Sequence, residues 1–200
     1  MKKGLLITVV AIFLAIIVGG YAVFDKFVET SDNLETLHNQ VEYTEALVQT
    51  KLQERFDVVP NLVEIVKDSA KHEKEILTAI ANARTKYNNA FSVGDTEGML
   101  EANESINTVM LNIKENYPEI AGLEMYKYFN DNYLSLEAAV TEARDNYNAA
   151  VKNYNDALDM FWYGIVANMK GMRAENYFEA SAKAEQGVTI NMADWLIFLP

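Results

Sequence analysis

The residues best suited to chemistry in this chain are its two histidines, and neither has the neighbours that a metal site needs. His72 is followed by Glu73, but no second histidine stands where the H-E-x-x-H zinc pattern requires it. His38 has a glutamate three residues before it, as in di-iron bundles, but such sites need that pattern twice. Glu64, Asp68 and His72 share one helix face, which is more typical of a solvated acidic surface. We therefore expect no bound metal.

The sequence also lacks the short patterns that mark common catalytic sites. It has no phosphate-binding G-x-x-x-x-G-K-[ST], no dinucleotide-binding G-x-G-x-x-G and no nucleophile elbow G-x-S-x-G. Cysteine is absent, which excludes disulfides, a thiolate nucleophile and cysteine-ligated zinc. Paired carboxylates are common, but among 29 Asp+Glu they have no specificity. We expect a protein without enzymatic activity and without a cofactor.

The charge balance narrows the class of partner. The chain carries 17 Lys+Arg against 29 Asp+Glu, a formal net charge of −12. A phosphate backbone would be repelled by that charge, so nucleic acid is excluded as a partner that binds through counterion release. Attachment to anionic lipid by basic residues is disfavoured for the same reason. With only 3 prolines and 9 glycines in 200 residues, long uninterrupted helices are favoured over sheets.

An apolar run near the N-terminus predicts a membrane anchor. Residues 4–24 contain only Thr8 and Tyr21 as polar interruptions, and as a helix they would span about 31 Å, close to the thickness of the hydrocarbon core. Lys2 and Lys3 precede the run and acids follow it, which favours a cytoplasmic N-terminus and an extracytoplasmic body. We expect a single-pass protein of the cell membrane whose first partner is the lipid bilayer.

Two other interpretations of this run stay open. The small residues Gly20 and Ala22 fit a signal peptide cleaved after Ala22, which would release a secreted protein. A buried core helix is the third alternative, although an apolar surface on every side of a helix is unusual in a small domain. The length of the run favours an anchor that is not cleaved.

After about Ser31 the apolar residues recur at heptad spacing, which predicts long amphipathic helices. Pro60, Gly94 and Pro118 mark the breaks between them, and Pro60 belongs to the first turn of the second helix. The expected helices cover about residues 31–56, 60–91, 96–116 and 118–161. The fold class is therefore all-α: an N-terminal transmembrane helix followed by an antiparallel up-and-down four-helix bundle with long helices.

The last of these helices has the most regular pattern. Its apolar positions alternate at spacings of 3 and 4 without a miss: Tyr126, Phe129, Tyr133, Leu136, Val140, Ala143, Tyr147, Ala150, Tyr154, Ala157 and Phe161. Three units follow: an anchor over 1–24, a bundle over 25–161 and a C-terminal tail over 162–200. The tail has mixed signals and is expected to be partly helical or disordered. Its apolar end, 195–200, is too short to span a bilayer.

Several charged residues fall on or near apolar positions and need partners. Glu73 and Arg84 lie on the predicted apolar seams of the second helix, and Arg55, Asp57 and Arg144 also stand close to apolar positions. An unpaired buried charge is costly. We expect Arg84 or Arg144 to form an ion pair with Glu73 or Asp57 between helices, as a structural contact and not as a catalytic pair.

An eight-residue pattern, A-R-x-x-Y-N-x-A, occurs at 83–90 and again at 143–150, and its second half recurs at Tyr154-Asn155. Arginine and tyrosine three residues apart share a helix face, so the guanidinium can lie over the ring. Asparagine beside the seam can fix helix register, as Asn148 would. Bundle packing is the favoured interpretation, and a ligand groove lined by Arg84, Tyr87, Arg144 and Tyr147 is the alternative.

The segment from Arg55 to Glu64, R-F-D-V-V-P-N-L-V-E, followed by His72-Glu73, resembles the signature of the LemA family of bacterial membrane proteins. Glu115 to Pro118 and Tyr177 to Glu179 follow in the order expected for that family, so the resemblance covers roughly residues 30–180. It implies an N-terminal membrane helix and an all-α antiparallel bundle, with no established enzymatic activity. For some relatives it also implies a role in shaping or organising membranes.

We therefore predict a non-enzymatic scaffold or interaction module at the membrane, which binds another membrane protein or a second copy of itself. An extracytoplasmic ligand-binding or sensor bundle is the main alternative, and a hydrolase or metalloprotein is the third. The candidate structural and interaction residues are Arg55, Asp57, Asn61, His72, Glu73, Arg84, Tyr87, Arg144, Tyr147 and Asn148.

Overall fold

The structure, a computed structural model, describes residues 2–67 and 73–178. No strand occurs within these two ranges, so the prediction of an all-helical protein is confirmed there. The helices are α1 (Lys2–Asp57), α2 (Val59–Lys67), α3 (Glu73–Val93), α4 (Thr96–Asn116), α5 (Pro118–Ala121), α6 (Glu124–Leu158) and α7 (Phe161–Lys170).

Helix α1 is continuous from the apolar run into the body of the protein. It has 56 residues and is therefore about 84 Å long. Ser31 does not begin a new helix but lies inside α1, so the helix expected over 31–56 continues straight out of the apolar run. The physical reason is composition: neither glycine nor proline occurs between Tyr21 and Asp57, so no residue breaks the hydrogen-bond ladder.

The environment of α1 changes halfway along its length. From Ile7 to Phe24 the large apolar side chains are exposed, and this is the one stretch of the described residues apolar and long enough to cross a membrane. From Thr30 onward one face is buried at heptad spacing, including Leu34, Val41 and Val48. The N-terminal half of α1 therefore has exposed apolar side chains, and its C-terminal half packs into a protein core.

The predicted break at Pro60 is confirmed. Helix α1 ends at Asp57, Val58 forms a turn, and Pro60 lies in the first turn of α2. Of the second helix, expected over 60–91, the structure describes Val59–Lys67 as α2 and Glu73–Val93 as α3. Residues 68–72 lie outside the described ranges, and so do the predictions made for Asp68 and His72.

The helix predicted over 96–116 is observed with these bounds. Asp95 caps it, since its carboxylate accepts a hydrogen bond from the backbone N–H of Gly98 at 2.9 Å. Gly94 precedes the cap with φ of 71°, a left-handed conformation that glycine adopts at little cost. This turn brings α3 and α4 side by side.

The fourth predicted helix, 118–161, is divided into α5 and α6, and α7 begins at its expected end and extends into the predicted tail. Leu123 is extended between α5 and α6, and Met160 is extended between α6 and α7. Nine of the eleven predicted seam residues are buried in α6. Leu136 is half-buried, and Phe161 is exposed because it lies beyond the end of α6.

The heptad pattern of the second predicted helix puts Leu77, Arg84 and Phe91 on one apolar seam, and this prediction is wrong by one residue. Ala83 and Ala90 are buried, whereas Arg84 and Phe91 are exposed. Because the charge of Arg84 is exposed to water, it does not need an acidic partner to compensate for burial, which was the basis for the predicted ion pair.

Helix α1 packs along α6, and the contacts occur in opposite order on the two helices. His38 lies beside Tyr154 with ring centroids 5.3 Å apart, and Arg55 lies beside Tyr133. The contacts between α1 and α4 occur in the same order on both helices. Gln49 contacts Thr96 at the start of α4, and Arg55 contacts Asn103 further along. These contacts bring polar side chains from three helices together at Arg55.

Candidate functional site

Arg55 is the largest side chain buried in the described core, with only 1% of its surface exposed. Its Nη1 donates a short hydrogen bond to the amide oxygen of Asn103, and its Nη2 donates to that of Asn107 at 2.6 Å. Nη1 also pairs with the carboxylate of Glu137. The guanidinium carbon lies 3.9 Å from the ring centroid of Tyr133. One cation of α1 thus joins two side chains of α4 to two of α6.

The electrostatics of this cluster favour a structural role. Burial lowers the pKa of Arg55 to about 10, while Tyr133 and Glu104 act in the opposite direction. The side chain therefore remains a cation at neutral pH, and Glu137 supplies the compensating charge. Burial also raises the pKa of Tyr133 well above its usual range. Neither group is suited to proton transfer near pH 7.

An open pocket of about 450 Å³ lies over this cluster, between α4 and α6. Arg55 and Tyr133 contribute to its floor, and Lys114 and Lys127 contribute to its wall. Lysines and the arginine outnumber the acids in the lining, Asp131 and Glu137. The pocket is thus locally cationic in a chain whose net charge is −12.

A second polar site lies where the chain continues after α7. Gly171 has φ of 72° and ends α7 in a left-handed cap. Residues 172–178 then run without regular secondary structure along α6. Asn155 donates from Nδ2 to the carbonyl of Glu175 and accepts from its N–H through Oδ1, both at 2.9 Å. Asn148 does the same with Phe178, at 3.0 and 2.9 Å.

We call Asn148 and Asn155 the asparagine clamp. Each amide engages both backbone groups of one residue, as a neighbouring peptide would in a sheet. Asn155 is seven positions after Asn148, which is about 10 Å along the helix, and Phe178 is three positions after Glu175, which is about the same distance in extended chain. The two lengths match, so two equivalent amides can hold one segment at every third residue. The hydrogen bonds of the clamp are made to backbone atoms of that segment.

Aromatic and charged contacts surround the clamp. The hydroxyl of Tyr147 donates to the carbonyl of Asn176 at 3.0 Å, and its ring packs on Phe178 with centroids 4.3 Å apart. His38 of α1 lies 3.3 Å from the carboxylate of Glu175. Burial raises the pKa of Tyr147 to about 12, with lesser contributions from Glu45 and Glu175. The segment therefore touches both α1 and α6.

The residues predicted as a site are distributed over the molecule. Tyr87 is buried on α3 and stacks on Phe56 at 4.0 Å, whereas Tyr147 contacts the C-terminal segment. These contacts lie at different places in the molecule, so Tyr87 and Tyr147 do not line the one groove that was the alternative. Arg84 is exposed. Asp57 and Asn61 are also exposed at the surface.

Burial raises the pKa of Tyr87 to about 12, with Asp57 a lesser cause. Arg144 is half-buried on α6, four positions before Asn148 of the clamp. The side chain of Glu73 and all of His72 lie outside the described part of the chain, so the expected pairing of Glu73 with Arg84 or Arg144 stays a prediction.

Sequence reasoning found Arg55 but missed Asn107 and Glu137 as its partners. It noted Tyr154-Asn155 as a half repeat without recognising Asn155 as the second half of the clamp. The available signal was the recurrence of Tyr-Asn one heptad apart, at 147–148 and 154–155.

The comparison with protein families now identifies the chain. The sequence model described as the LemA family matches residues 44–192. The protein belongs to the LemA family. That match includes Arg55, its partners and the asparagine clamp, and it confirms the family predicted from the Arg55–Glu64 segment.

Individual relatives are distant. The chain is 23% identical over 158 residues to Protein LemA of Metamycoplasma hominis, which covers 78% of this chain and 71% of that protein. It is 26% identical over 70 residues to Magnetosome proteins MamQ 1 and MamQ 2 of Paramagnetospirillum magneticum. That alignment covers 35% of this chain and 26% of each of those relatives.

Proposed function

We propose that this LemA-family protein is a non-enzymatic, single-pass membrane scaffold that acts as an interaction module. Residues 4–24 of α1 cross the bilayer, the short N-terminus is cytoplasmic, and the helical body is extracytoplasmic. The partner is another membrane protein or a second copy of the chain, and the role lies in organising the membrane. Family membership and the apolar first half of α1 support the membrane location.

The proposed body is an antiparallel four-helix bundle made of α1, the α2–α3 segment, α4 and α6. The opposite order of contacts between α1 and α6 supports this topology, as does the tight turn at Gly94 between α3 and α4. In such a bundle α1 and α4 are diagonal neighbours that run in the same direction, which agrees with the order of the Gln49 and Arg55 contacts.

The observation that carries the interaction role is the asparagine clamp. A surface that already holds one extended segment through paired amides has the geometry to recognise peptide backbone. Tyr177 lies between the two clamped residues and is 48% exposed, so the bound segment itself presents a side chain to a partner. We place the interaction face here, along α6 and residues 173–178.

The test uses the full chain in its native membrane. Tyr177 is replaced by the photo-crosslinking analogue p-azidophenylalanine, and in a matched variant Tyr128 is replaced instead. Tyr128 also lies on the surface, 78% exposed, but on α6 far from the clamp. We expect one defined adduct, with a membrane protein or a second copy, from position 177 and none from position 128.

The clamp variants Asn148→Ala and Asn155→Ala control for chance proximity. They release the segment, so the adduct formed from position 177 should decrease in both. Equal labelling at positions 177 and 128, or no adduct at either, would contradict an interaction module at this face.

Sidedness has its own experiment. The cell envelope is opened outside the cytoplasmic membrane, which itself stays intact, and protease is added. A tag after residue 200 should then be digested, because the body is proposed to be extracytoplasmic. Full protection of the tag, with digestion only after lysis of the membrane, would place the body in the cytoplasm.

A second candidate function, binding of a small anionic ligand by an extracytoplasmic sensor bundle, is favoured by the cationic pocket over Arg55. Inorganic phosphate is the simplest probe. A rise in melting temperature with phosphate that Lys114→Ala and Lys127→Ala both abolish would favour a sensor. An unchanged melting temperature in the intact chain would remove this candidate.

A further inference from the structure

One face of α7 is apolar and remains partly or largely exposed among the described residues. Phe161 is 75% exposed, Trp162 38%, Ile165 40% and Met169 71%. At 100° per residue these four side chains lie within an arc of about 100° on the helix. Val166 and Ala167, on the adjoining face, are buried against the core. Helix α7 therefore packs with one face and leaves a continuous apolar stripe on the other.

The position of α7 along α1 shows where this stripe lies. Lys170 near the end of α7 pairs with Glu35 of α1 at 3.4 Å. Lys170 is nine positions after Phe161, and Glu35 is nine positions after Lys26, so Phe161 lies level with Lys26 if the helices run in the same direction.

An electrostatic interaction near the start of α7 agrees with that direction. The pKa of Lys26 is raised chiefly by its pair with Glu29, and Tyr163 of α7 adds to the same shift. Tyr163 is therefore close to Lys26. The first turn of α7 lies beside the point where the apolar run of α1 ends at Phe24.

We propose that the first turn of α7, Phe161 and Trp162, inserts into the lipid interface beside α1 and forms a second membrane contact of this protein. The occupant of the apolar stripe is thus the bilayer that holds residues 4–24, and the inference rests on the proposed anchoring. Tryptophan and phenylalanine at this depth are the side chains that membrane interfaces accept most readily.

The geometry predicts a gradient along the stripe. The headgroup region is about 5–8 Å thick on each side of the hydrocarbon core. Ile165 lies about 6 Å further from the hydrocarbon than Phe161, and Met169 lies about 12 Å further. Because Phe161 is level with Lys26, about 3 Å beyond Phe24, Phe161 and Trp162 lie among the headgroups near the hydrocarbon boundary. Ile165 lies at the outer edge of the headgroup region, and Met169 lies in water. Contact with a second copy along the whole stripe would show no such gradient.

The absence of cysteine allows a direct measurement on the full chain. Single variants Leu14→Cys, Phe161→Cys, Met169→Cys and Thr50→Cys are spin-labelled and reconstituted in vesicles of phosphatidylethanolamine and phosphatidylglycerol. Collisions with oxygen, which concentrates in lipid, are compared with collisions with a water-soluble nickel complex. All four positions are exposed, so the labels do not disturb the core.

We expect the oxygen-to-nickel ratio to be highest at position 14 and several-fold higher at 161 than at 169. The ratio at position 169 should equal the ratio at position 50. A high ratio at 14 with equal ratios at 161 and 50 would overturn the second contact and leave the anchor intact. A low ratio at 14 would overturn both. Spin–spin broadening at 161 that disappears on dilution with unlabelled protein would assign the stripe to a second copy and overturn the lipid contact.

Tryptophan fluorescence gives an independent measurement that leaves Phe161 in place. In the variant Trp195→Phe, Trp162 is the remaining tryptophan. Lipids brominated near the headgroup end of the acyl chain should quench it more than lipids brominated near the chain end. Emission that brominated lipid does not quench at all would contradict insertion.

Discussion

The Arg55 cluster and the asparagine clamp are both polar, and they join helices in opposite ways. Arg55 is a buried cation held by an acid, two amides and an aromatic ring, all of them side chains. The clamp is neutral, lies near the surface and binds backbone atoms. The first arrangement depends on the identity of every partner, whereas the second depends only on two asparagines.

This difference has an energetic consequence. A buried charge that loses a partner retains its desolvation cost, so the Arg55 cluster should tolerate almost no substitution. The clamp can lose a hydrogen bond and return its partners to water, because residues 173–178 lie at the surface. We therefore expect global effects at Arg55 and local effects at the clamp.

The largest effect should follow Arg55→Ala. The change removes the central side chain and strands Glu137 and two amides beside a cavity, so the free energy of unfolding should fall by about 3 kcal/mol or more. Urea denaturation followed by circular dichroism in detergent measures this. Arg84→Ala is the matched control, and since Arg84 is exposed it should change stability by less than about 0.5 kcal/mol. Equal effects of the two variants would abolish the distinction between the sites.

A smaller and local effect should follow Asn148→Ala or Asn155→Ala. Each variant removes two hydrogen bonds to the backbone, and we expect release of residues 173–178 at a cost of about 1–2 kcal/mol. Hydrogen exchange at the N–H groups of Glu175 and Phe178 should accelerate, while the urea midpoint stays near that of the parent. A large shift of the midpoint would mean that the segment is part of the cooperative core.

Alkaline pH offers a graded test of the clamp through Tyr147. Its pKa is raised from 10 to about 12, so the unfolded chain releases this proton before the folded chain does. The stabilisation is present below about pH 10 and is lost as the pH rises toward 12. Unfolding free energy measured across this window should fall less steeply in Tyr147→Phe than in the parent. Parallel curves would show that Tyr147 is not protected in the folded state.

The smallest effect should follow Asn176→Ala. Tyr147 contacts the backbone carbonyl of Asn176, and the asparagine clamp binds backbone atoms of its neighbours. Loss of the Asn176 side chain should therefore leave these hydrogen bonds intact. Hydrogen exchange at Glu175 and Phe178 should be unchanged within error. Accelerated exchange would indicate that the side chains of the segment are also recognised.

Much of the helical layout could be predicted because it depends on local rules. Pro60, Gly94 and Pro118 break helices wherever they occur, and the strict 3–4 spacing in α6 fixes one buried face. The error in α3 has a physical cause. From Ile80, heptad spacing allows either Ala83 or Arg84 as the next buried position, and the apolar Leu77 and Phe91 favoured the wrong one.

The polar sites were harder to predict because their partners are distant in sequence. Arg55 could be recognised as a charge that needs compensation, but Asn103 and Glu137 are separated from it by 48 and 82 positions along the printed sequence. The clamp was missed because residues 173–178 have no periodicity that would reveal a bound segment. Only the repeated Tyr-Asn pair hinted at a surface with two equivalent positions.

Because α1 is one continuous helix, the anchor and the body move together as one rigid lever arm. About 50 Å of helix separates Phe24 from Asp57, with no hinge between them. Membrane helices tilt by about 20° on average to match the local bilayer, and a tilt of that size would swing the distal end of the lever sideways by about 17 Å. A change in bilayer thickness at one end would thus be converted into lateral travel of Arg55 and its neighbours at the other.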